Sequence, residues 1–323
     1  MSEEKKIVII AGPNGAGKTT LLEAIYLLDR GRTFRGRHSG PLTTRGEEDT
    51  SIWGNVVVGA GGRRHRLGWS SGGGGTRLEG TQLTRYVGAS SFSLVEGGPD
   101  LRRRFFDWSL FHVEPECREL WSSMFRLQRQ RNSWLRSGAK GPPVWDEPYA
   151  SQLDEIWRRR CVFLERFREV FSPLLLQFFQ SDEVRLKWSW SGQGLPMIDS
   201  LRRNIETDRR RGFTFLSSSR GDVQFLIGNS QWRGSRGENK LVGILLQLSV
   251  QQMALAGQAN SPVVLLDDPY AELSGRHIEP LLEAWMQVSE QVFVTSLDDV
   301  PGAELRRRHP ATFHVEQGAL TGL

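Results

Sequence analysis

The chain has 323 residues, with 42 lysines and arginines against 37 aspartates and glutamates, for a formal net charge of +5. With 38% apolar and 24% charged residues, it has the composition of a globular protein of two domains, or of one domain with a large insertion. The absence of any run of eighteen apolar residues argues against a membrane span. An acidic N-terminus followed by a short apolar run argues against a secretory signal. With only two cysteines, we expect a cytoplasmic protein.

The first predicted elements are a strand, a phosphate-binding loop and a helix. The apolar run at 7–11 precedes the sequence GPNGAGKTT at 12–20, which matches the pattern G-x-x-x-x-G-K-[ST]. Helical periodicity predicts a helix from Thr19 to about Asp29. Glycines let backbone N–H groups turn toward phosphate oxygens, and a helix N-terminus adds partial positive charge. The alternative, a glycine-rich turn that matches by chance, is disfavoured by the flanking strand and helix.

This loop predicts a nucleotide-binding site, but it does not identify the biochemical process that the nucleotide powers. We expect Lys18 to reach the β- and γ-phosphates of ATP, and the hydroxyl of Thr19 to bind Mg²⁺. The predicted nucleotide-binding residues are Gly12, Pro13, Asn14, Gly15, Ala16, Gly17, Lys18, Thr19 and Thr20.

The middle of the chain changes from strand-like to helical patterns. Residues 52–58 and 63–69 read as antiparallel strands with glycine-rich turns. Helices are predicted from 99 through 108, over 114–135, and over 145–179 as one helix or as two broken near Pro173. A strand at 184–190 and a helix at 195–209 follow. Most of the eleven tryptophans lie at core spacing, so we interpret them as core residues.

Strands and helices alternate after residue 212. The predicted elements lie at 223–227, 239–256, 263–266, 277–288, 292–295, 302–308 and 312–315. This alternation is typical of a parallel sheet covered by helices. We therefore predict an α/β protein with three segments: the first part of a nucleotide-binding head at 1–95, an inserted and mostly helical lobe at 96–212, and the rest of the head at 213–323.

Two acids follow the apolar run at 263–266. One carboxylate at such a strand end can hold Mg²⁺, and its neighbour can orient the attacking water. On its own, this pattern is more often structural, but together with the phosphate loop it predicts a magnesium site. The predicted catalytic residues are Asp267 and Asp268, and the predicted metal ligands are Thr19 and Asp267. We expect their strand to lie beside the strand that leads into the phosphate loop.

Residues 235–237, Ser-Arg-Gly, stand at the start of the predicted helix 239–256. Ser235 and Gly237 can present a hydroxyl and N–H groups to a phosphate. Ser235 can equally be an ordinary N-cap. From the local sequence alone, both interpretations remain open.

Several stretches together resemble the bacterial RecF family, whose ATPase heads are of the ABC type found in Rad50 and SMC proteins. The most specific are GGPDLRRRFFDW at 97–108 and FHVEP at 111–115. Weaker matches lie at 23–26, 31–35, 130–132, 145–146 and 208–209. Residues 235–237 fall at the family's signature motif, 267–268 at its Walker B acids, and 271–273 at its D-loop. The resemblance spans nearly the whole chain.

The resemblance implies an ABC-type head that dimerises when it binds ATP. Each ATP would lie between the Lys18 loop of one subunit and Ser235 and Gly237 of the other. The family's function implies weak ATPase activity, binding to duplex DNA near single-strand gaps, and a role with recombination mediator proteins in DNA repair, recombination, replication and the SOS response. The alternatives are a P-loop ATPase of another system such as phage defence, a small-molecule or nucleotide kinase, and a scaffold that binds nucleotide without hydrolysing it.

Some residues depart from the family's pattern. Glu238 stands where the family has glutamine, Ser274 where its D-loop ends in aspartate, and Ala89-Ser90 where it has a Pro-Glu pair. Because a fixed negative charge beside a triphosphate is unfavourable, we expect slow turnover. The family also has strands before its phosphate loop, whereas here the loop begins at residue 12, so we expect either a truncated start or a trimmed fold.

The net positive charge is concentrated in segment 96–212. Arginine clusters at 102–104, 158–160 and 209–211 alternate with acids and read as solvated helix faces. Their functional interpretation is a surface that follows DNA phosphates without reading sequence. The candidate contacts are the clusters at 102–104 and 209–211, and Arg131.

Overall fold

The computed structural model describes residues 6–35, 48–58, 63–73, 76, 84–88, 91, 93–138, 141, 143–179, 184–190, 196–255, 262–297 and 310–322. The elements in chain order are β1 (Lys6–Ala11), α1 (Lys18–Arg30), β2 (Ser51–Val58), β3 (Arg63–Ser70), β4 (Thr84–Val87), α2 (Ser93–Glu96), α3 (Pro99–Val113), α4 (Cys117–Arg136), α5 (Asp146–Phe179), β5 (Val184–Ser189), α6 (Met197–Arg211), β6 (Asp222–Ile227), β7 (Ser230–Gln231), α7 (Arg236–Leu255), β8 (Val263–Leu266), α8 (Gly275–Gln287), β9 (Gln291–Ser296), β10 (Ala311–Glu316) and β11 (Ala319–Gly322).

The chain divides into two compact units. The head unit comprises Met1–Phe92 and Ser235–Leu323, and the inserted unit comprises Ser93–Gly234. Within the described ranges, no helix combines the length and the apolar character needed to cross a membrane.

A six-stranded mixed sheet forms the centre of the head unit, in the order β11-β10-β1-β9-β8-β4. The pairs β10–β1, β1–β9, β9–β8 and β8–β4 are parallel, and only β11 runs antiparallel to its neighbour. Residues 7–11 on the central strand are all apolar and buried, as expected of a strand covered on both faces. β2 and β3 pair separately as the predicted antiparallel hairpin.

Helix α1 begins and ends at glycines. Gly17 precedes it with φ of 109° and Gly31 follows it with φ of 63°, both in the left-handed region. Leu22 and Leu27 are buried on its inner face. The helix therefore starts directly at the end of the phosphate loop, with its N-terminus toward that loop.

The inserted unit is mostly helical, as predicted. The predicted helical region 145–179 forms a single helix, α5 (Asp146–Phe179), because Pro173 is accommodated inside it rather than ending it. Phe106, Phe163, Phe167 and Phe171 are buried in this unit, and their rings contact one another. Of the tryptophans interpreted as core, Trp188 and Trp285 are buried, but Trp53 and Trp108 are exposed.

Strand β6 corrects the predicted topology. The segment 223–227 was expected in the parallel sheet of the head, but it pairs antiparallel with β5 and β7 in a three-stranded sheet of the inserted unit. Val223 and Phe225 are buried while Gln224 between them is exposed, an alternation typical of a sheet with one covered face. The inserted unit thus ends at Gly234, whereas the predicted boundary lies at 212. The predicted helix 302–308 and the departure at 89–90 lie outside the described residues.

Arg131 is fully buried rather than displayed to DNA. Its Nε donates to Asp146 Oδ1 at 2.6 Å, and its Nη1 donates to Asp208 Oδ2 and Thr214 Oγ1, both at 2.8 Å. Since its side chain is 0% exposed, the prediction that Arg131 contacts DNA is wrong for this fold. Arg102 is likewise held by Asp222, with both distances 2.7 Å.

Candidate nucleotide site

The phosphate loop connects β1 to α1 at the carboxyl end of the central strand. Gly12, Gly15 and Gly17 have φ values of 149°, 80° and 109°, which only glycine adopts without strain. A Cβ on Gly12 would lie 2.2 Å from the carbonyl oxygen of Val315. The glycines are thus required by backbone geometry as well as by the approach of a ligand.

A cavity of about 320 Å³ opens beside this loop. It is lined by Asn14, Gly15, Gly17, Lys18, Thr19, Thr20, Arg35, Asp267, Asp268 and Thr295. The structure therefore brings most of the predicted loop residues and both predicted acids around one space. Gly12, Pro13 and Ala16 shape the loop without lining the cavity, and Ser235 and Gly237 lie elsewhere in the head unit.

Lys18 carries the positive charge of the loop. Its ammonium donates to the carbonyl oxygens of Gly12 at 2.6 Å and Pro13 at 2.9 Å. Neither acceptor is charged, so the positive charge of Lys18 is not neutralised by these bonds. The arrangement favours an anion in the cavity, and the N-terminus of α1 adds to that preference.

Asp267 reaches the loop from the end of β8. Its Oδ1 accepts from Thr19 Oγ1 at 3.0 Å and from Thr295 Oγ1 at 2.9 Å, and its Oδ2 accepts from Tyr86 OH at 3.0 Å. The expectation that β8 lies beside β1 is wrong, because β9 lies between them. Asp267 nevertheless reaches the phosphate loop across β9. Thr295, near the end of β9, donates to the same carboxylate oxygen as Thr19.

Asp268 has an unusual backbone. Its φ of 50° lies in the left-handed region, and its N–H donates to Thr295 Oγ1 at 2.7 Å. Such a conformation costs of order 1–3 kcal/mol and persists only where surrounding contacts enforce it. Both acids border the cavity.

Tyr86 is a site residue that the sequence interpretation missed. Its ring stacks on Phe34 with centroids 3.6 Å apart, and its hydroxyl donates to Asp267. Burial, reinforced by the charge of Asp267, raises the pKa of Tyr86 far above its ordinary value, so the hydroxyl keeps its proton. Nothing in the four-residue strand β4 signals this role. Thr295 could have been found, because it ends a predicted apolar strand at the same edge of the sheet as Asp267.

Arg35 is a second residue that the sequence interpretation missed, and it lines the same cavity as Lys18. Its Nε lies 3.1 Å from Glu23 Oε2, and the buried Glu23 carboxylate also accepts from Thr33. The guanidinium side chain is 45% exposed. Arg35 therefore has a fixed anchor on α1 while remaining accessible from the cavity.

Helix α7 begins with a reciprocal cap. The N–H of Ser235 donates to Glu238 Oε2 at 2.7 Å, and the N–H of Glu238 approaches Ser235 Oγ at 3.4 Å. This is the capping-box pattern, in which the side chain of a serine and that of a glutamate three residues later each accept a hydrogen bond from the other residue's backbone N–H. Hydrogen bonds from the Ser235 side chain and backbone lower the pKa of Glu238. The N-cap interpretation of Ser235 therefore holds in the single chain, and Glu238 has a structural role.

The residues near Asp267 fit a magnesium ion. A hydroxyl and a carboxylate oxygen converge at Thr19 and Asp267, and hard oxygen donors of this kind are what Mg²⁺ prefers. Further oxygens would have to come from phosphates and water, as is usual for this ion.

Comparisons with known proteins cover the phosphate-loop region in one case and the whole chain in others. A family model described as "AAA domain, putative AbiEii toxin, Type IV TA system" matches residues 7–65. The DNA replication and repair protein RecF of Stutzerimonas stutzeri is 31% identical over 345 residues, covering 100% of this chain and 93% of the relative. That of Stenotrophomonas maltophilia is 32% identical over 353 residues, covering 100% and 95%.

Solved structures match in fold. The structure of the recombination mediator protein RecF-ATP in the RecFOR pathway aligns with a TM-score of 0.73 at 23% identity, covering 99% of this chain and 92% of that chain. An SMC head bound to the C-winged helix domain of ScpA aligns with a TM-score of 0.51 at 13% identity, covering 99% and 90%. At these identities the likeness supports the fold alone.

Proposed function

We propose that this chain, which belongs to the RecF family of DNA replication and repair proteins, is an ATP-dependent DNA-binding protein of recombinational repair. The observation that carries the proposal is the cavity that joins Lys18, Thr19, Asp267 and Asp268 in a member of this family. The fold that we expected, an ABC-type head with an inserted helical unit, is the fold observed. By this proposal the protein acts in the cytoplasm.

ATP binding rests on the phosphate loop. Lys18 would exchange its carbonyl partners for β- and γ-phosphate oxygens, and the loop's N–H groups would surround the same phosphates. Thr19 and Asp267 would hold Mg²⁺, which when bound offsets the negative charge of the phosphates. Arg35 also lines the cavity, where its guanidinium, already paired with Glu23, would donate hydrogen bonds to the phosphates.

Hydrolysis is proposed to be weak and to depend on Asp268. Asp268 borders the cavity, and its carboxylate forms no ion pair among the described residues, so it would be free to orient a water molecule for attack. Asp268→Asn would then retain ATP and prolong the bound state. A scaffold that never hydrolyses ATP would show no difference between Asp268→Asn and wild type.

An ATP-dependent homodimer is proposed from the position of the signature residues. Ser235 and Gly237 do not line the cavity of their own chain, so they are available to a nucleotide held by a second copy. That engagement must compete with the capping box, because Ser235 Oγ already faces the N–H of Glu238.

Duplex DNA near single-strand gaps is the proposed partner, and recombination mediator proteins are proposed as further partners. Of the predicted arginine contacts, Arg103 and Arg209 pair with Asp100 and Glu206, so both are already engaged. The outer face of α4 is different. Arg118, Arg126 and Arg129 are exposed there and pair with no carboxylate among the described residues. We propose these three as DNA contacts of the inserted unit, with Arg104, Arg210 and Arg211 remaining from the predicted clusters.

The other functions considered are not favoured. A nucleotide kinase or a defence ATPase shares the phosphate loop, and the model with the toxin–antitoxin description matches only 7–65, where that loop lies. The RecF relatives, in contrast, cover the inserted unit as well as the head. The inserted unit, which a kinase or a defence ATPase need not share, therefore favours a RecF-type function.

Fluorescence anisotropy tests the proposal directly. Wild-type protein is titrated onto labelled duplex, single-stranded and gapped DNA, with and without Mg·ATP, and Asp268→Asn serves as the variant that retains ATP. We expect ATP to tighten binding to duplex and gapped DNA, and Asp268→Asn to bind at least as tightly as wild type. Absence of binding to all three DNAs at low salt would refute DNA as the partner.

A further inference from the structure

A buried lysine on α7 holds the segment that carries Asp268. We call residues 267–274, between β8 and α8, the D-loop segment. The ammonium of Lys240 donates to the backbone carbonyl oxygen of Asp268 at 2.7 Å and to that of Ala271 at 2.6 Å. Lys240 is only 5% exposed. Two carbonyl groups of the segment are therefore fixed by one side chain of the helix.

The first turn of α7 makes two more contacts with the same segment. A Cβ placed on Gly237 would lie 2.4 Å from the carbonyl oxygen of Glu272, so the helix backbone and the segment are in direct contact. Arg236 Nε lies 2.9 Å from Glu272 Oε1. Residues 236, 237 and 240 thus attach one helical turn to the D-loop segment.

The segment needs such an attachment because its backbone is strained. Asp268 and Glu272 have φ values of 50° and 71°, and neither is a glycine. Conformations of this kind persist only where surrounding contacts enforce them. Lys240 bonds to the carbonyl of Asp268 itself and to that of Ala271, directly before Glu272, so it acts at both strained positions.

The chemistry of the contact suits a positioning role. An ammonium offers three donors and can satisfy two carbonyl oxygens at once, which an apolar side chain cannot do. Burial lowers the pKa of Lys240, while the charges of Asp268, Glu272 and Asp267 act against this shift. Removing the lysine would leave two carbonyl groups without their donor in a poorly solvated place.

We propose that Lys240 is a positioning residue for ATP hydrolysis, which holds the backbone of Asp268 so that its carboxylate faces the nucleotide. This inference rests on the proposed ATPase activity. Through the same contacts, the turn that starts at Ser235 is directly linked to the backbone of the D-loop segment.

Hydrogen–deuterium exchange tests the attachment without requiring any ATPase activity. Lys240→Met removes the donors at similar length, and Lys240→Gln keeps one donor in case the methionine variant fails to fold. Gln247→Met is the matched control, because Gln247 lies on the same helix and bonds to Ser91 instead. We expect faster exchange over 268–275 in the Lys240 variants and unchanged exchange in the control. Unchanged exchange in both Lys240 variants would overturn the proposal.

Single-turnover kinetics then tests the link to Asp268. Mg·ATP affinity should stay close to wild type in Lys240→Met, because Lys18, Thr19 and Asp267 are not touched. Turnover should fall by about a hundredfold, as expected when a reacting group is misplaced by about 1 Å. Combining Lys240→Met with Asp268→Asn should cost little more than Asp268→Asn alone, since both act on one group.

The outcomes separate this inference from the proposed function. Additive losses would mean that Lys240 does not act through Asp268, and the inference would be refuted. If wild type hydrolyses no ATP while exchange over 268–275 still rises in the variants, the ATPase proposal fails and the attachment alone survives.

Discussion

Two cations of the chain, Lys18 in the head unit and Arg131 in the inserted unit, have opposite kinds of partner. In the head unit, Lys18 bonds to backbone carbonyl oxygens, which leave its charge available to an anion. In the inserted unit, Arg131 and Arg160 bond to carboxylates: Arg131 to Asp146 and Asp208, and Arg160 to Asp107. The charge of these arginines is already neutralised inside the protein.

This contrast teaches that the positive charge of a segment does not locate a polyanion site. Residues 96–212 carry most of the net charge, yet their most buried arginines hold the unit together. What matters is the partner of each cation, since a carbonyl leaves its charge uncompensated and a carboxylate does not. The contrast predicts different consequences for removing a cation from each unit.

Arg131→Met should have the largest effect, on stability alone. It leaves the carboxylates of Asp146 and Asp208 buried without their cation, so the free energy of unfolding should fall by about 3–5 kcal/mol. Urea denaturation followed by circular dichroism measures the change. Arg158→Met, which removes an exposed arginine paired with Glu155, is the control and should leave the free energy of unfolding close to that of wild type. A small decrease in the free energy of unfolding for Arg131→Met would contradict a structural role for its buried ion pairs.

Lys18→Ala should weaken ATP binding without changing the stability of the nucleotide-free protein. We expect ATP affinity to fall by about a hundredfold, or about 2.7 kcal/mol, because the charge facing the phosphates is lost. Without nucleotide, its unfolding should be unchanged, since no carboxylate depends on Lys18. Isothermal calorimetry measures the affinity, and Lys187→Ala, an exposed lysine of the inserted unit, is the control. Equal ATP affinity of Lys18→Ala and wild type would refute the site.

Removing the unpaired arginines of α4 should have a smaller effect, on DNA alone. The triple variant Arg118→Gln, Arg126→Gln, Arg129→Gln should bind DNA about tenfold more weakly in moderate salt. Its logarithmic salt dependence should be shallower by about 2.7, at about 0.9 for each lost phosphate contact.

A matched variant keeps that experiment interpretable. Arg158→Gln, Arg166→Gln, Arg202→Gln removes the same charge from exposed arginines that pair with Glu155, Glu114 and Glu147. Both triple variants lose equal long-range attraction, so only true contacts separate them. Identical anisotropy titrations for the two would exclude the α4 face as a DNA contact.

Glu238→Gln should have the smallest effect. A glutamine can also serve in a capping box, so stability at neutral pH should fall by only a few tenths of a kcal/mol. Since the pKa of Glu238 is lowered in the fold, its contribution is present above the ordinary glutamate pKa and lost as pH falls through the folded value. The difference between wild type and Glu238→Gln should therefore vanish in acid. Thermal denaturation from pH 3 to pH 7 measures it, and a difference that grows in acid would contradict the cap.

Local sequence signals predicted the parts of the site that lie on one strand–loop–helix unit. The glycines, Lys18 and Thr19 follow from spacing alone, and Asp267 and Asp268 from the end of an apolar run. Tyr86 and Lys240 could not be predicted in this way, because their roles depend on contacts with residues 181 and 28 positions away. Strand β6 was misplaced for a similar reason: strand propensity does not specify which strand is the partner.

The head sheet also sets an order of events during synthesis. The central strand β1 is made first, but its neighbour β9 begins only at Gln291, and β10 follows at Ala311. At about 5–20 residues per second, the ribosome needs roughly 15–60 s to cover that distance. For that time residues 7–11, all apolar, lack the strands that pair with them, whereas the inserted unit, Ser93–Gly234, is fully synthesised before β9 begins. The nucleotide site is therefore completed last, and a chain that stops before β9 retains Lys18 but lacks the sheet that places Asp267 beside it.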